Sequence, residues 1–114
     1  MDPYEQELKL AEAHKIATAV LRGDTPIFEA APHLWSALDG THLAMTEAHL
    51  FLNGVASETD DLPFGPVRDL WSPEALRQKD VLAAAYESKI RDEFLSVCRE
   101  IVRLTPRGDE ETQT

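Results

Sequence analysis

The sequence has little or none of several features that mark whole classes of protein. Its single cysteine, Cys98, excludes an intrachain disulfide, the usual brace of small secreted domains. No apolar run approaches the ~20 residues that span a bilayer. The stretch from Met1 to Glu5 has neither the basic start nor the apolar run of a secretion signal. We therefore expect a cytoplasmic protein.

Basic residues are also scarce. Lysine and arginine total 11 against 21 aspartates and glutamates, so the formal net charge is -10. Nucleic acid and anionic membrane surfaces repel a protein this acidic, and we expect neither as a partner. A hydrophobic share of 43% and a charged share of 28% are typical of a globular protein. The length predicts one domain, at residues 1–106, and the polar segment 107–114 is expected to be a disordered tail.

Three predicted helices begin with a capping side chain followed by proline at the first helical position. Each then carries apolar residues at helical spacing, and the first two end at a glycine or an Asp-Gly pair. Proline also lies inside the second pattern, at Pro32, where we expect either a kink or the true start of that helix. The three starts are Asp2-Pro3, Thr25-Pro26 and Ser72-Pro73, and the helices extend to residues 22, 38 and 104.

A further segment between the second and last helices is predicted to be helical, from a cap at Thr41 to Asn53-Gly54. Its apolar residues around positions 50–55 would also suit a short strand. Helix is favoured because the chain contains no second segment that looks like a partner strand. The fold class expected is therefore all-α: a compact bundle of about four helices, with a long C-terminal helix and an ordered acidic loop across one end.

The last predicted helix carries apolar residues spaced by seven, which is typical of a coiled-coil seam. Phe94 and Ile101 fill the complementary positions in its second half. This seam would pack on the first helix within one chain or pair with a second copy of the chain. The residues spaced by seven are Leu76, Ala83, Ile90, Val97 and Leu104.

Negative charge is concentrated in one part of the chain. Residues 23–71 hold eight acids and one base, Arg68, a net charge of -7, whereas residues 72–104 hold six acids and six bases. Such clustering indicates a surface suited to a positively charged partner.

The loop Ser57–Trp71 forms the C-terminal end of this acidic stretch and holds four of its eight acids. Ser57 and Asp60 are residue types that hold turns, and Arg68 has acids within reach for a bidentate ion pair. Polar loop residues on a rigid scaffold also form binding sites, so a functional role stays open beside the structural one. The apolar residues expected to anchor the loop to the bundle are Leu62, Phe64, Leu70 and Trp71.

The segment from Ser57 to Asp80 follows the pattern SETD-x-LP-x-G-x-x-R-x-x-W-x-x-x-AL-x-x-x-D. It resembles a small bacterial family of uncharacterised all-helical proteins, and residues 23–38 fit the early part of that family. The resemblance covers about two thirds of the chain. It implies a bacterial cytosolic protein and carries no catalytic residues.

Metal and catalytic sites are not favoured. His42 and His49 lie seven apart and would share a helix face, but no third ligand accompanies them, while His14 and His33 are isolated. The acids from Glu58 to Asp61 lack the spacing of a calcium loop. No phosphate loop or nucleophile motif is present, and Cys98 is expected to be a buried apolar residue. The sequence therefore predicts a protein without cofactor or metal that is not an enzyme.

The hypothesis favoured by the sequence is a protein that binds and neutralises a basic partner. Its most specific form is an immunity protein or antitoxin that blocks a cationic toxin domain. Self-association through the apolar seam, as a homodimer, is the main alternative, and a metal-binding or enzymatic protein is a weaker one. The residues expected to contact the partner are Glu58, Asp60, Asp61, Phe64, Asp69 and Trp71.

Overall fold

The computed structural model describes residues 2–63 and 65–106, and the predicted tail at 107–114 lies outside them. Within this part of the chain the fold is all-α, as predicted, with no strand and four main helices. These are α1 (Pro3–Leu21), α2 (Ile27–Leu38), α3 (Glu47–Glu58) and the long α4 (Pro73–Leu104), with a 3-10 helix at Gly65–Leu70 between the last two. None of the described helices combines the length and apolar character that crossing a membrane requires.

The starts of α1 and α4 follow the predicted cap-then-proline pattern. The Asp2 carboxylate accepts a hydrogen bond from the Tyr4 amide at 2.8 Å, and the Ser72 hydroxyl accepts one from the Ala75 amide at 3.2 Å. Gly23, at φ 80°, ends the chain's first helical segment in the left-handed region that favours glycine. Two of the three predicted starts are thus confirmed in detail.

The start of α2 differs from the prediction. Pro26 is extended at the cap position, and no side chain donates or accepts a capping hydrogen bond, so the predicted Thr25 cap is wrong. The helix nevertheless begins at Ile27 and runs through Pro32, which is exposed. Pro32 has no N–H for the carbonyl one turn back. The helix continues because its apolar face is buried on both sides of that position.

The boundaries predicted for α3 are also wrong. Met45 has a φ of 65°, a left-handed conformation that a helix beginning at Thr41 could not contain. The helix starts after it, where the Thr46 hydroxyl accepts the His49 amide hydrogen at 3.4 Å. It then continues through Gly54 to Glu58. The strand alternative for residues 50–55 is wrong, because they lie inside this helix.

The core lies around α2, which packs against α1 on one side and α3 on the other. Alanines that are fully buried on α1 and α2, such as Ala13 and Ala31, let these two helices approach closely. Larger side chains fill the rest of the core. The largest fully buried residues are Phe94, Leu34, Leu38, Leu52, Ile101, Val55 and Cys98.

The buried stripe of α4 differs from the predicted seam. Its buried residues are Phe94, Cys98 and Ile101, whereas Leu104 is 42% exposed. Ile90 and Val97 are half-buried and pack against the core. α1 packs on α4, and His14 Nδ1 of α1 lies 3.0 Å from Thr105 Oγ1 at the end of α4, so the chain itself covers this stripe. Cys98 belongs to the stripe because it lies four residues after Phe94 and three before Ile101, on the same helix face.

Leu34 offers a test of this core. Because its side chain is fully buried in α2, Leu34→Ala should lower the free energy of unfolding by about 2–5 kcal/mol through lost burial and a residual cavity. Leu82→Ala, the same change at a helical leucine that is 64% exposed, should alter it by no more than about 0.5 kcal/mol. Urea unfolding followed by circular dichroism measures both. Equal losses in the two variants would contradict the placement of these helices.

Candidate interaction site

The acidic segment, which runs from Glu58 to Trp71, leaves the helical bundle at the end of α3. The Thr59 hydroxyl and amide both donate to the Val55 carbonyl oxygen, at 2.7 and 3.1 Å, and Thr59 is buried. The Leu62 amide then donates to the Thr59 carbonyl at 3.1 Å, and the Leu62 side chain packs against the core. Ser57 and Glu58, predicted as loop, belong to the last turn of α3. The loop therefore starts from a rigid, buried turn.

Arg68 fastens the 3-10 helix to α4. Its two terminal nitrogens donate to the two carboxylate oxygens of Asp80, at 3.1 and 2.9 Å, and one of them also donates to the Pro63 carbonyl at 3.3 Å. The predicted bidentate pair is thus confirmed, with Asp80 as its partner. The Arg68 hydrogen bonds hold the pKa of Asp80 below its usual 3.8, against a smaller opposing effect of desolvation.

A second ion pair fastens the loop next to the first. Lys79 Nζ lies 2.5 Å from Asp61 Oδ2. The hydrogen bond and then the charge of Lys79 lower the pKa of Asp61. Lys79 and Asp80 are adjacent on α4 and bind Asp61 and Arg68, respectively. The two ion pairs therefore hold both ends of the segment 61–68 against the same place on α4. Asp61 is consequently not one of the free charges that the sequence suggested.

Three acids of the segment stay exposed to solvent. Glu58, Asp60 and Asp69 form no ion pair with any residue in the ranges 2–63 and 65–106. Trp71 is half-buried and is not part of the core cluster, while Phe64 lies outside the described residues. Of the six predicted contact residues, the structure therefore leaves three with free carboxylates.

A cavity of about 240 Å³ lies between the end of α3 and the middle of α4. It brings together two of the predicted acids, Glu58 and Asp61, but not Asp60, Asp69 or Trp71. The other lining residues within the described part of the chain were not predicted to belong to a site. They are Thr59, Leu62, Lys79, Leu82, Ala83 and Tyr86.

Tyr86 connects this cavity to the core. Its ring stacks on Phe28 of α2, with centroids 5.6 Å apart. Partial burial, and secondarily the negative charges of Glu58 and Glu93, raise the pKa of the Tyr86 phenol, so the group stays a neutral donor. Leu82 and Tyr86 both lie off the predicted seam. The sequence offers one signal for Leu82: it is an apolar residue that lies outside the heptad positions of α4.

The histidines form no shared site. His49 is buried beneath Trp35, its ring stacked at 5.3 Å, and its Nδ1 accepts the Met45 amide hydrogen at 3.0 Å. Its Nε2 lies 3.8 Å from Asp39 Oδ1. His42 precedes α3, and its amide donates to the Gln6 side chain at 2.6 Å, so the shared helix face predicted for His42 and His49 is wrong. Among the residues described, no three His, Cys, Asp or Glu side chains are grouped to hold a metal ion.

No family model, curated protein or solved structure matches the chain. The resemblance of the Ser57–Asp80 pattern to a bacterial family stays a prediction. The structure adds a physical role for part of that pattern, since Arg68 and Asp80 contact each other directly.

Replacing Arg68 with methionine, which keeps a long side chain but has no hydrogen-bond donor, should loosen the loop and leave the bundle folded. In Arg68→Met, amide hydrogens of residues 65–71 should exchange faster, because the contacts to Asp80 and the Pro63 carbonyl are lost. Arg91→Met, which breaks the exposed pair with Glu87 further along α4, is the matched control and should leave those amides unchanged. Unchanged exchange at 65–71 in Arg68→Met would show that the pair does not hold the loop.

The same measurement has a defined pH dependence. Asp61 and Asp80 have a pKa lowered below 3.8, so their contribution to stability is complete above that pH. It is lost as pH falls through the lower pKa of each folded carboxyl. Wild-type protection at 65–71, corrected for intrinsic exchange, should therefore decline only below about pH 3.8.

Cys98 should be inert toward thiol reagents in the folded protein. Burial raises the pKa of its thiol to about 12, so almost no thiolate exists at neutral pH, and the side chain is fully buried. With Ellman's reagent at pH 8 we expect no reaction of the native chain and one thiol per chain after denaturation in guanidinium chloride. Rapid native labelling would contradict the position of Cys98 in the core.

Proposed function

We propose that this chain is a stoichiometric binding protein that neutralises a basic protein partner, in the manner of an immunity protein or antitoxin acting on a cationic toxin domain. The observation that carries the proposal is the group of exposed carboxylates, Glu58, Asp60 and Asp69, which flank the segment 61–68 that two ion pairs fasten to α4. The proposal assigns no catalytic residue and no cofactor.

Electrostatics supports a basic partner. The net charge of -10 steers a cationic protein toward this one, and free carboxylates can take the positions of phosphates in a basic groove. The net charge of -7 counted for residues 23–71 is larger than the charge available to a partner, because Lys79 neutralises Asp61. Glu58, Asp60 and Asp69 form no ion pair within the part of the chain that the structure describes, and Arg68, the single base between residues 23 and 71, is bound to Asp80.

Rigidity supports the same proposal. A segment that is already ordered before binding loses less conformational entropy when a partner docks. Thr59, Leu62 and Pro63 are buried or half-buried at the start of the segment, and Arg68 holds its 3-10 helix. These contacts support an acidic surface that is partly ordered before a partner binds.

The alternative of self-association through the α4 seam receives no comparable support. Phe94, Cys98 and Ile101 are buried within one chain, where α1 packs on them. A second copy would have to displace α1 to reach them. Homodimer formation stays a prediction, and the free carboxylates favour a basic partner over a second acidic copy.

The proposal is tested by a pull-down from native cytosol, read by mass spectrometry. Wild type should retain one basic protein at 1:1, and the triple variant Glu58→Gln/Asp60→Asn/Asp69→Asn should lose it, because the charges that face the partner are gone. Asp61 is left in place so that the loop stays fastened. The variant should also show a slower association rate and a weaker dependence on salt.

The matched control is Glu12→Gln/Asp24→Asn/Asp92→Asn, which removes the same charge from exposed positions on α1, the following turn and the second half of α4. It should retain the partner. Equal loss in both variants would show that net charge alone acts. Equal retention in both would contradict a role for the acidic segment.

A further inference from the structure

The turn between α2 and α3 holds a residue in an unfavourable backbone conformation. Met45 is the one residue other than glycine with a positive φ, 65°, in the part of the chain that the structure describes. Its side chain is 73% exposed, so packing does not impose this conformation. Its amide instead donates a hydrogen bond to Nδ1 of His49 at 3.0 Å. An imidazole nitrogen that accepts a hydrogen bond therefore helps to hold Met45 in the left-handed region.

The ring of His49 is hydrogen-bonded at one nitrogen and not at the other. It is buried against Trp35, with ring centroids 5.3 Å apart. Because Nδ1 accepts the Met45 amide hydrogen, the neutral ring carries its own hydrogen on Nε2. Nε2 is buried without a hydrogen-bond partner among the described residues, and Asp39 Oδ1 lies 3.8 Å from it. An unpaired buried donor is costly, so a small movement of the ring toward Asp39 would gain a hydrogen bond.

A proton on His49 reverses the preference of both ring nitrogens. The imidazolium carries a hydrogen on Nδ1 as well as on Nε2 and accepts at neither, so Nδ1 no longer binds the Met45 amide. Nε2 gains from the charge, because a shift of roughly 1 Å toward Asp39 forms a charge-assisted hydrogen bond. The neutral ring thus favours the bond to Met45, and the protonated ring favours the bond to Asp39.

Asp39 is the charged group that the ring faces from the neighbouring elements. No other carboxylate in the ranges 2–63 and 65–106 lies within 4.0 Å of a His49 ring nitrogen. The element α1 reaches the turn through the Gln6 side chain, which is uncharged and binds the His42 amide. Among the described residues, no charged side chain of α1 or α4 forms a hydrogen bond or ion pair with His49. The same holds for the other titratable residues of α2, the turn and α3, which are Glu29, His33, His42, Glu47 and Glu58.

We infer that His49 is the sensor of a pH-dependent switch in the turn at Ala44 and Met45. With a neutral ring, Nδ1 holds the Met45 amide and the turn keeps its left-handed residue. When the ring gains a proton, this hydrogen bond breaks, the ring pairs with Asp39, and Met45 leaves the left-handed region. Histidine is the residue type whose charge ordinarily changes between about pH 5 and 8. The switch involves no partner and is independent of the proposed function.

The residues on either side of this peptide are held by contacts that do not involve the imidazole. The Thr41 hydroxyl donates to the Leu38 carbonyl at 2.6 Å and accepts the Leu43 amide hydrogen at 3.2 Å, which ties the start of the turn to α2. The Thr46 hydroxyl donates to the Leu43 carbonyl at 2.7 Å and caps α3. The change is therefore confined to Ala44 and Met45, and it alters where an exposed methionine side chain is presented.

The test is a titration of the full chain, labelled with nitrogen-15, from about pH 8 to 4.5 by nuclear magnetic resonance. At the upper limit, a scalar coupling across the hydrogen bond should connect the Met45 amide nitrogen with His49 Nδ1. As the ring nitrogen shifts report protonation of His49, this coupling should disappear. Exchange of the Met45 amide, corrected for its intrinsic rate, should then rise about two- to tenfold, the range expected for one lost hydrogen bond. The amides of residues 65–71 are the internal control, because the pKa of Asp61 and that of Asp80 are lowered below 3.8 and their ion pairs persist throughout.

Three variants assign the response to these groups. His49→Asn keeps an acceptor near the position of Nδ1 and does not titrate, so its Met45 amide should not respond to pH in this range. Asp39→Asn removes the carboxylate that pairs with the imidazolium, so the transition should require a lower pH. Asp24→Asn removes an exposed acid at the other end of α2, about 18 Å away along the helix, and should leave the transition unchanged.

The outcomes that contradict the switch are distinct. A coupling that survives full protonation of the ring, or a ring that stays neutral with its bond intact at pH 4.5, would overturn it. Equal displacement of the transition by Asp39→Asn and Asp24→Asn would show a response to net charge and overturn the pairing with Asp39. Circular dichroism shows whether each variant is folded. The wild-type titration and the comparison of the two aspartate variants decide the question even where His49→Asn does not fold.

Discussion

The packing of α2 between α1 and α3 is the constraint on which the rest of the structure depends. Its buried residues face both neighbours, and the absence of large side chains at Ala30 and Ala31 sets how closely they approach. α4 joins this unit mainly through α1, over the half that contains Phe94, Cys98 and Ile101. Before Phe94, α4 has no buried residue, although Ala83 and Tyr86 pack against the core, and the acidic segment contacts this part of the helix through Lys79 and Asp80.

The ordering of that acidic segment combines burial with charge pairing. Leu62 packs against the core and Pro63 is buried, which brings the chain back toward α4. Arg68 of the segment then pairs with Asp80 of α4, and Lys79 of α4 pairs with Asp61 of the segment. Each side of the contact thus supplies one base and one acid. Exposed ion pairs stabilise a protein only slightly, so their effect is to orient the segment more than to hold the bundle together. The same pairing decides which acids stay free.

The candidate site could be predicted in part. Glu58, Asp60 and Asp69 are free acids in the region that the charge count indicated. Asp61 was misjudged because its partner, Lys79, belongs to a segment that is neutral when counted by itself. Leu82 and Tyr86 escaped notice because the heptad pattern directed attention to Ala83 and Ile90. The cavity that they line lies between α3 and α4, and no local pattern in the sequence records which helices meet.

By itself the sequence determined the helical class, the starts of α1 and α4, the unbroken length of α4 and the burial of Cys98. These follow from local physics: a capping side chain, proline in the first turn, the helical period and the apolar character of a residue. Tertiary structure contributed to where α3 begins, because His49, which accepts the amide hydrogen of the left-handed Met45, is buried against Trp35 of α2. It also decided which face of α4 is covered, because that depends on the length and position of α1. Leu82 is exposed because it lies outside the buried stripe that Phe94, Cys98 and Ile101 form on α4.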